Sequence, residues 1–258
     1  MRVPATVLVH RDAGLLAQAV AGRLVVALVD SQAARGTAAL VLTGGVIGTA
    51  ALAQLEATPA RDAVDWSSLD VWWGDERFLP AGNPERNETA ARSALLDHVD
   101  LDETRVHPMP PADGPDGNDP EAAAERYTGV LAAAARPEDH GPVPTFDVLL
   151  LGVGPDGHVA SVFPESPASY DSRPVVAVRG APKPPPTRLT LTLAAINAAR
   201  EVWVLAAGEE KATAVHLALS GAGSVQVPAA GVRGRARTLW LLDRAAASLL
   251  PPGLPRLS

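Results

Sequence analysis

The chain has 258 residues, with 22 Lys and Arg against 29 Asp and Glu, a formal net charge of −7. That balance excludes the cation surplus on which nucleic-acid binding and anionic membrane surfaces rely. A hydrophobic content of 47% supplies an ample core, and the absence of cysteine excludes disulfides, thiolate metal centres and a cysteine nucleophile together.

The first apolar run, ATVLVH (5–10), stops at His10, Arg11 and Asp12, which is too short for a signal peptide or a membrane span. A cytoplasmic protein without membrane attachment is therefore expected. Further runs read as strands at 38–43, 69–74, 146–152, 201–208 and 237–243, several of them continuously apolar, as in strands covered on both faces. Between them, residues 12–34, 46–57, 84–97, 119–135, 192–199 and 209–220 have helix composition. The alternation predicts one α/β domain over residues 1–258, with an open, mainly parallel, Rossmann-like sheet and helices on both faces. Pro/Gly/Asp-rich loops interrupt the rhythm at 107–120 and 135–144, and three prolines at 184–186 lead into an alternating Thr/Leu strand.

In open α/β sheets, ligands gather at the carboxyl ends of the strands, because loop amides and helix N-termini converge there. After the second strand come Thr43, Gly44 and Gly45, which read either as a phosphate cradle or as a plain tight turn. After the third come Gly74, Asp75, Glu76 and Arg77, where Asp75 and Arg77 form a structural ion pair or carry chemistry; their place at a strand end favours chemistry.

The segment FDVLLLGVGPDGHVASVFPES (146–166) is the most informative. Gly152, Gly154 and Gly157 satisfy the GxGxxG spacing of dinucleotide sites. Pro155 lacks an amide where pyrophosphate needs donors, Asp156 adds a negative charge, and Pro164 forestalls a long helix, so no nucleotide cofactor is expected. What remains is Asp156 beside His158 on a glycine-rich turn, a carboxylate able to orient a histidine base. The other histidines, His10, His98, His107, His140 and His216, read as surface or packing residues, and Ser161 as a first-turn helix residue.

Only two of the cationic residues are lysines, Lys183 and Lys211. Lys211 opens a predicted helix, where it opposes the dipole unless an anion is near. Arg188 heads the alternating strand, and Lys183 sits in the proline-rich lead without an assigned task. No serine elbow and no clustered metal-ligand pattern is present, so metal-free acid–base chemistry on a small anion is expected.

The motifs LTGG, WWGDERF, DVLLLGVGPDGHVASVFP, RLTLTL and LAAGEEKA, in this order over about residues 5 to 245, resemble the 6-phosphogluconolactonase family of the sugar-phosphate isomerase superfamily. The resemblance implies that superfamily's fold and hydrolysis of 6-phospho-D-glucono-1,5-lactone to 6-phosphogluconate, in the oxidative pentose phosphate pathway. It implies a phosphate loop at Thr43, Gly44 and Gly45, phosphate cations at Arg188 and Lys211, and a catalytic pair of Arg77 and His158 with Asp156 and Asp75 in the acidic positions. It also implies a monomer whose partner is the phosphorylated sugar lactone. One departure is Val46 and Ile47, where many members carry Ser or Arg and then Thr; this removes side-chain phosphate contacts there but not the backbone cradle. Two alternatives stay open: a deaminase or isomerase of the same superfamily, whose deaminases read DEY where this chain has Arg77, and a sugar-phosphate sensor without catalysis.

Overall fold

The computed structural model describes residues 5–139 and 141–250, together with the backbone of 256 and 257. In chain order its elements are β1 (Thr6–His10), α1 (Ala13–Arg35), β2 (Ala38–Leu42), α2 (Gly45–Ala57), β3 (Leu69–Trp73), β4 (Asp75–Arg77), α3 (Asn87–Ala94), α4 (Pro120–Ala134), β5 (Val148–Gly152), β6 (Val175–Val178), β7 (Arg188–Leu191), α5 (Leu193–Ile196), β8 (Glu201–Ala206), α6 (Ala212–Leu219), β9 (Arg237–Asp243) and β10 (Arg256–Leu257). Seven strands form one parallel sheet in the order β10-β1-β9-β8-β5-β2-β3. Leu149, Leu150 and Leu151 in β5, and Val202 to Leu205 in β8, are all buried, so both faces of the sheet are covered, as their unbroken apolar runs predict.

Helix α1 follows from its ends and its stripe. Asp12 caps it by accepting the Leu15 amide at 2.9 Å, and Gly36, at φ 77°, closes it in a conformation glycine adopts without strain. Leu16, Val20, Leu24 and Leu28 recur every fourth residue on the buried face. Among the described residues α1 alone is long and apolar enough to cross a membrane, but it packs on α2, β2 and β9 inside the fold.

The strand order reverses between β2 and β5. From β2 the chain adds β3 outward on one side; from β5 it adds β8 and then β9 on the other. This switch point, at the carboxyl ends of two adjacent strands, opens a crevice between their following loops. The sequence places Thr43–Gly45 and Gly152–His158 in those two loops.

Several expectations change. The alternating run does not join the main sheet: β4, β7 and β6 form a separate antiparallel sheet, with β7 in the middle. β4 and β6 were not legible as strands, since three charged residues and a four-residue run carry little periodic signal. Helix 84–97 contracts to α3, because Asn83, Pro84 and Glu85 make a turn in which the Asn83 side chain accepts the Glu85 amide at 2.9 Å. Helix 192–199 is the single turn α5, and Ser161 lies in no helix.

Candidate active site

A cavity of about 250 Å³ sits over the switch point, lined by Thr43, Gly44 and Gly45 from the first loop and Gly152, Gly154, His158 and Phe163 from the second. The small sheet contributes Asp75, Arg77 and Arg188, and the start of α6 contributes Lys211. Asn87, Val153, Ala160, Lys183 and Pro184 complete it. Every residue singled out in the sequence as a site candidate lines this cavity except Asp156, which reaches it through His158.

The first wall is built from backbone. Gly44 caps α2 and Gly45 begins it at φ 81°, so the unpaired amides of the first helical turn open on the cavity with the positive end of the helix dipole. Gly44 is required by space as well: a Cβ there would lie 2.0 Å from Asn87 Oδ1. The Thr43 hydroxyl accepts the Gly152 amide at 3.2 Å and so ties the two loops together.

The second wall is the acid–base turn. The Gly154 amide donates to the His158 carbonyl and the Gly157 amide to the Gly154 carbonyl, at 2.9 and 3.0 Å, closing a tight loop around Pro155 and Asp156. His158 Nδ1 lies 2.5 Å from Asp156 Oδ1, and the ring packs on Phe163 with centroids 4.6 Å apart. With Nδ1–H donated to the carboxylate, Nε2 keeps its lone pair for a substrate proton. Burial works to raise the Asp156 carboxyl, but the hydrogen bond and charge of His158 outweigh it and hold it below the ordinary carboxylate value. Ala160, on the cavity wall, has a left-handed backbone at φ 50°, a strained conformation for a residue with a Cβ.

The small sheet supplies the charged wall. Asp75 and Arg77 do not form the ion pair that was one reading of their spacing. The Ser161 hydroxyl donates to Asp75 Oδ2 at 2.6 Å and Asn87 Nδ2 to Asp75 Oδ1 at 3.2 Å, leaving the carboxylate buried but satisfied. Arg77 donates from Nη1 to the Glu85 carbonyl, while its Nε is buried without a partner. Arg77 pairs in register with Arg188 across β4 and β7, so the two side chains leave the small sheet on the same face, and both residues line the cavity. Burial, with Arg77 adding to it and Asp75 opposing, holds the Arg188 guanidinium below its usual value. Lys211 is likewise lowered, first by burial and then by Lys183, against the pull of Glu210 and Asp156. Cations crowded in this way are stabilised by a bound anion.

Sequence reasoning missed the frame behind this wall. Glu76 is fully buried; it accepts the amides of Arg77, Asn87 and Glu88 at 2.8, 2.7 and 2.9 Å and lies 3.8 Å from Arg86 Nη2. Burial pushes its carboxyl up to about 7, against the opposing pull of Arg86 and the three amides. The signal was present as charged residues, Glu76 and Arg86, that no surface reading accounts for, but their partners are set by tertiary packing. Glu76→Gln places an NH2 group against an N–H donor. At pH 8 we expect a loss of about 1 to 3 kcal/mol, read as several degrees in Tm by thermal melting. An unchanged Tm would show that these amides find other acceptors.

The four remaining histidines that are described match their expected surface or packing roles. His10, His98 and His216 hydrogen-bond to backbone carbonyls, and His107 stacks on Trp72 with centroids 3.9 Å apart. His140 lies outside the described residues. Among the described residues no group of three His, Asp or Glu side chains is arranged to hold a metal ion.

Comparison with known proteins reaches the same place by another route. The model of the family described as glucosamine-6-phosphate isomerases/6-phosphogluconolactonase matches residues 11–240. A 6-phosphogluconolactonase of Streptomyces coelicolor is 64% identical, with 95% of each chain covered, and one of Mycobacterium tuberculosis is 53% identical, covering 93% of this chain and 96% of the relative. Among solved structures, 6-phosphogluconolactonase from Trypanosoma brucei superimposes with a TM-score of 0.82 at 30% identity, covering 96% of this chain and 99% of that one. The matched span includes both glycine loops and the small sheet, and the chain belongs to the glucosamine-6-phosphate isomerase/6-phosphogluconolactonase family.

Proposed function

We propose that this protein hydrolyses 6-phospho-D-glucono-1,5-lactone to 6-phospho-D-gluconate. The observation that carries this reading is that one cavity combines two chemistries: a histidine base paired with Asp156 and accompanied by Arg77, and an anion cradle made by the α2 N-terminus with Arg188 and Lys211. His158 Nε2 takes a proton from water as the oxygen attacks the lactone carbonyl, and the resulting imidazolium, steadied by Asp156, protonates the departing ring oxygen. Arg77 faces the oxyanion that forms between these steps; donors of this kind are worth about 2.7 to 4 kcal/mol. Asp75 holds Asn87 and the β4 end in place through its hydrogen bonds. The amides of Gly44 and Gly45, the Thr43 hydroxyl, Arg188 and Lys211 bind the phosphate, which positions C1 without entering the reaction. The names of the curated relatives support the same reaction.

We further infer that the chain acts as a single domain and as a monomer in the cytoplasm, using neither metal nor cofactor and binding neither nucleic acid nor membrane. The net charge of −7 supports the lack of nucleic-acid and anionic-membrane partners, and the lack of cysteine supports a reducing compartment and the lack of a thiolate metal centre.

The direct test is hydrolysis of freshly made lactone, coupled to 6-phosphogluconate dehydrogenase and NADP and corrected for spontaneous opening. Release of ammonia from glucosamine 6-phosphate faster than lactone hydrolysis would instead assign a deaminase. Arg77 argues against that outcome, because a cation suits a lactone oxyanion. Lys211→Ala is expected to raise KM about tenfold with a much smaller change in kcat, the signature of binding lost equally from ground and transition states. Equal losses in both parameters would remove Lys211 from the phosphate side.

A further inference from the structure

The chain has only two lysines, and both line this one cavity. Lys211 arrives from the α6 start; Lys183 arrives from the connection between β6 and β7, which pair in antiparallel register from Val178 opposite Arg188. This hairpin tip is held in a defined shape. Arg188 donates from Nε to the Pro185 carbonyl at 2.8 Å and from Nη2 to the carbonyls of Lys183 and Pro184 at 3.0 and 3.1 Å. The Ala181 amide donates to the Pro186 carbonyl at 2.9 Å, and prolines at 182, 184, 185 and 186 fix the backbone around the lysine.

The Lys183 ammonium forms no ion pair among the described residues, and its charge adds to the burial that holds the Lys211 ammonium below its usual value, so the two cations share one cavity. A surface lysine free to choose its surroundings would turn away from a second cation. Here the backbone is clamped by a buried arginine that lines the same cavity, so the stem of Lys183 is anchored at the cavity wall before any ligand arrives. Such preorganisation reduces the ordering cost of binding, and a dianionic group between the two ammoniums converts their repulsion into attraction.

We propose that Lys183 is a phosphate-binding residue, closing over the phosphate monoester opposite Lys211, with Arg188 also acting as a positioning residue through the carbonyls of the hairpin tip. The inference rests on the lactonase reading and adds to it a residue that sets specificity for phosphorylated over unphosphorylated lactone.

The test compares wild type, Lys183→Ala and Lys183→Arg on 6-phosphogluconolactone and on unphosphorylated glucono-1,5-lactone. The ratio of kcat/KM between the two substrates should fall about tenfold in Lys183→Ala, through KM, and recover largely in Lys183→Arg. A role confined to the shape of the hairpin would lower both substrates in step and leave the ratio unmoved; that result, or an unchanged KM, overturns the proposal. Calorimetric titration of wild type and Lys183→Ala with inorganic phosphate decides the same point without turnover: weaker binding to the variant supports it, and equal affinity refutes it. Failure of the wild-type protein to hydrolyse either lactone above the spontaneous rate would count against the lactonase reading alone.

Discussion

His158→Ala is expected to lower kcat by roughly 10² to 10⁴, the range over which a positioned general base accelerates proton transfer. The side chain fills little of the core and its partner is one exposed carboxylate oxygen, so the fold should persist, with Tm nearly unchanged. Affinity for inorganic phosphate should persist too, because the anion side of the cavity is drawn from other loops. Steady-state kinetics with the coupled assay, set beside phosphate titration, separates the two. A variant that kept more than a tenth of wild-type kcat would show that water is activated by another group, and Asp75 would then be the residue to change next.

Gly154 carries no functional group, yet its lack of a side chain shapes the Asp156–His158 pair. Gly154→Ala is expected to cost roughly 10² in kcat, the scale on which a misplacement of about 1 Å acts on a positioned group. A Cβ at this position would lie 2.0 Å from His158 Nδ1 and 2.4 Å from Asp156 Oδ1, so the added methyl cannot be accommodated without moving the pair itself. Since φ of Gly154 is not in the left-handed region, the penalty is one of space and falls on the two side chains. The damage should appear in kcat with little change in KM. Wild-type kcat in this variant would mean that the observed Asp156–His158 contact is not the one used in turnover.

How far the sequence reached can be followed residue by residue. The parallel strands and the glycine loops after β2 and β5 were legible because buried strands read as unbroken apolar runs, and turns at their ends need glycine. Asp156 and His158 were legible because both lie within one turn. Arg77, Arg188 and Lys211 were readable as charges in unusual places, but their convergence depends on a second sheet whose strands are three and four residues long. Asn87, Ser161 and the Glu76–Arg86 frame were beyond reach, since each acquires meaning only through a partner at least ten residues away in the chain. Lys183 falls between: its rarity was visible, its destination was not.

The in-register pairing of Arg77 with Arg188 makes the small sheet a register-dependent mount for both arginines. Side chains alternate along a strand, so a shift of one residue in either β4 or β7 would turn an arginine from the cavity to the opposite face. Which of the two arginines reach the cavity is thereby set by strand register rather than by the length of any side chain. A single-residue insertion ahead of Arg77 would replace no residue that lines the cavity, yet it would turn the Arg77 side chain away from it.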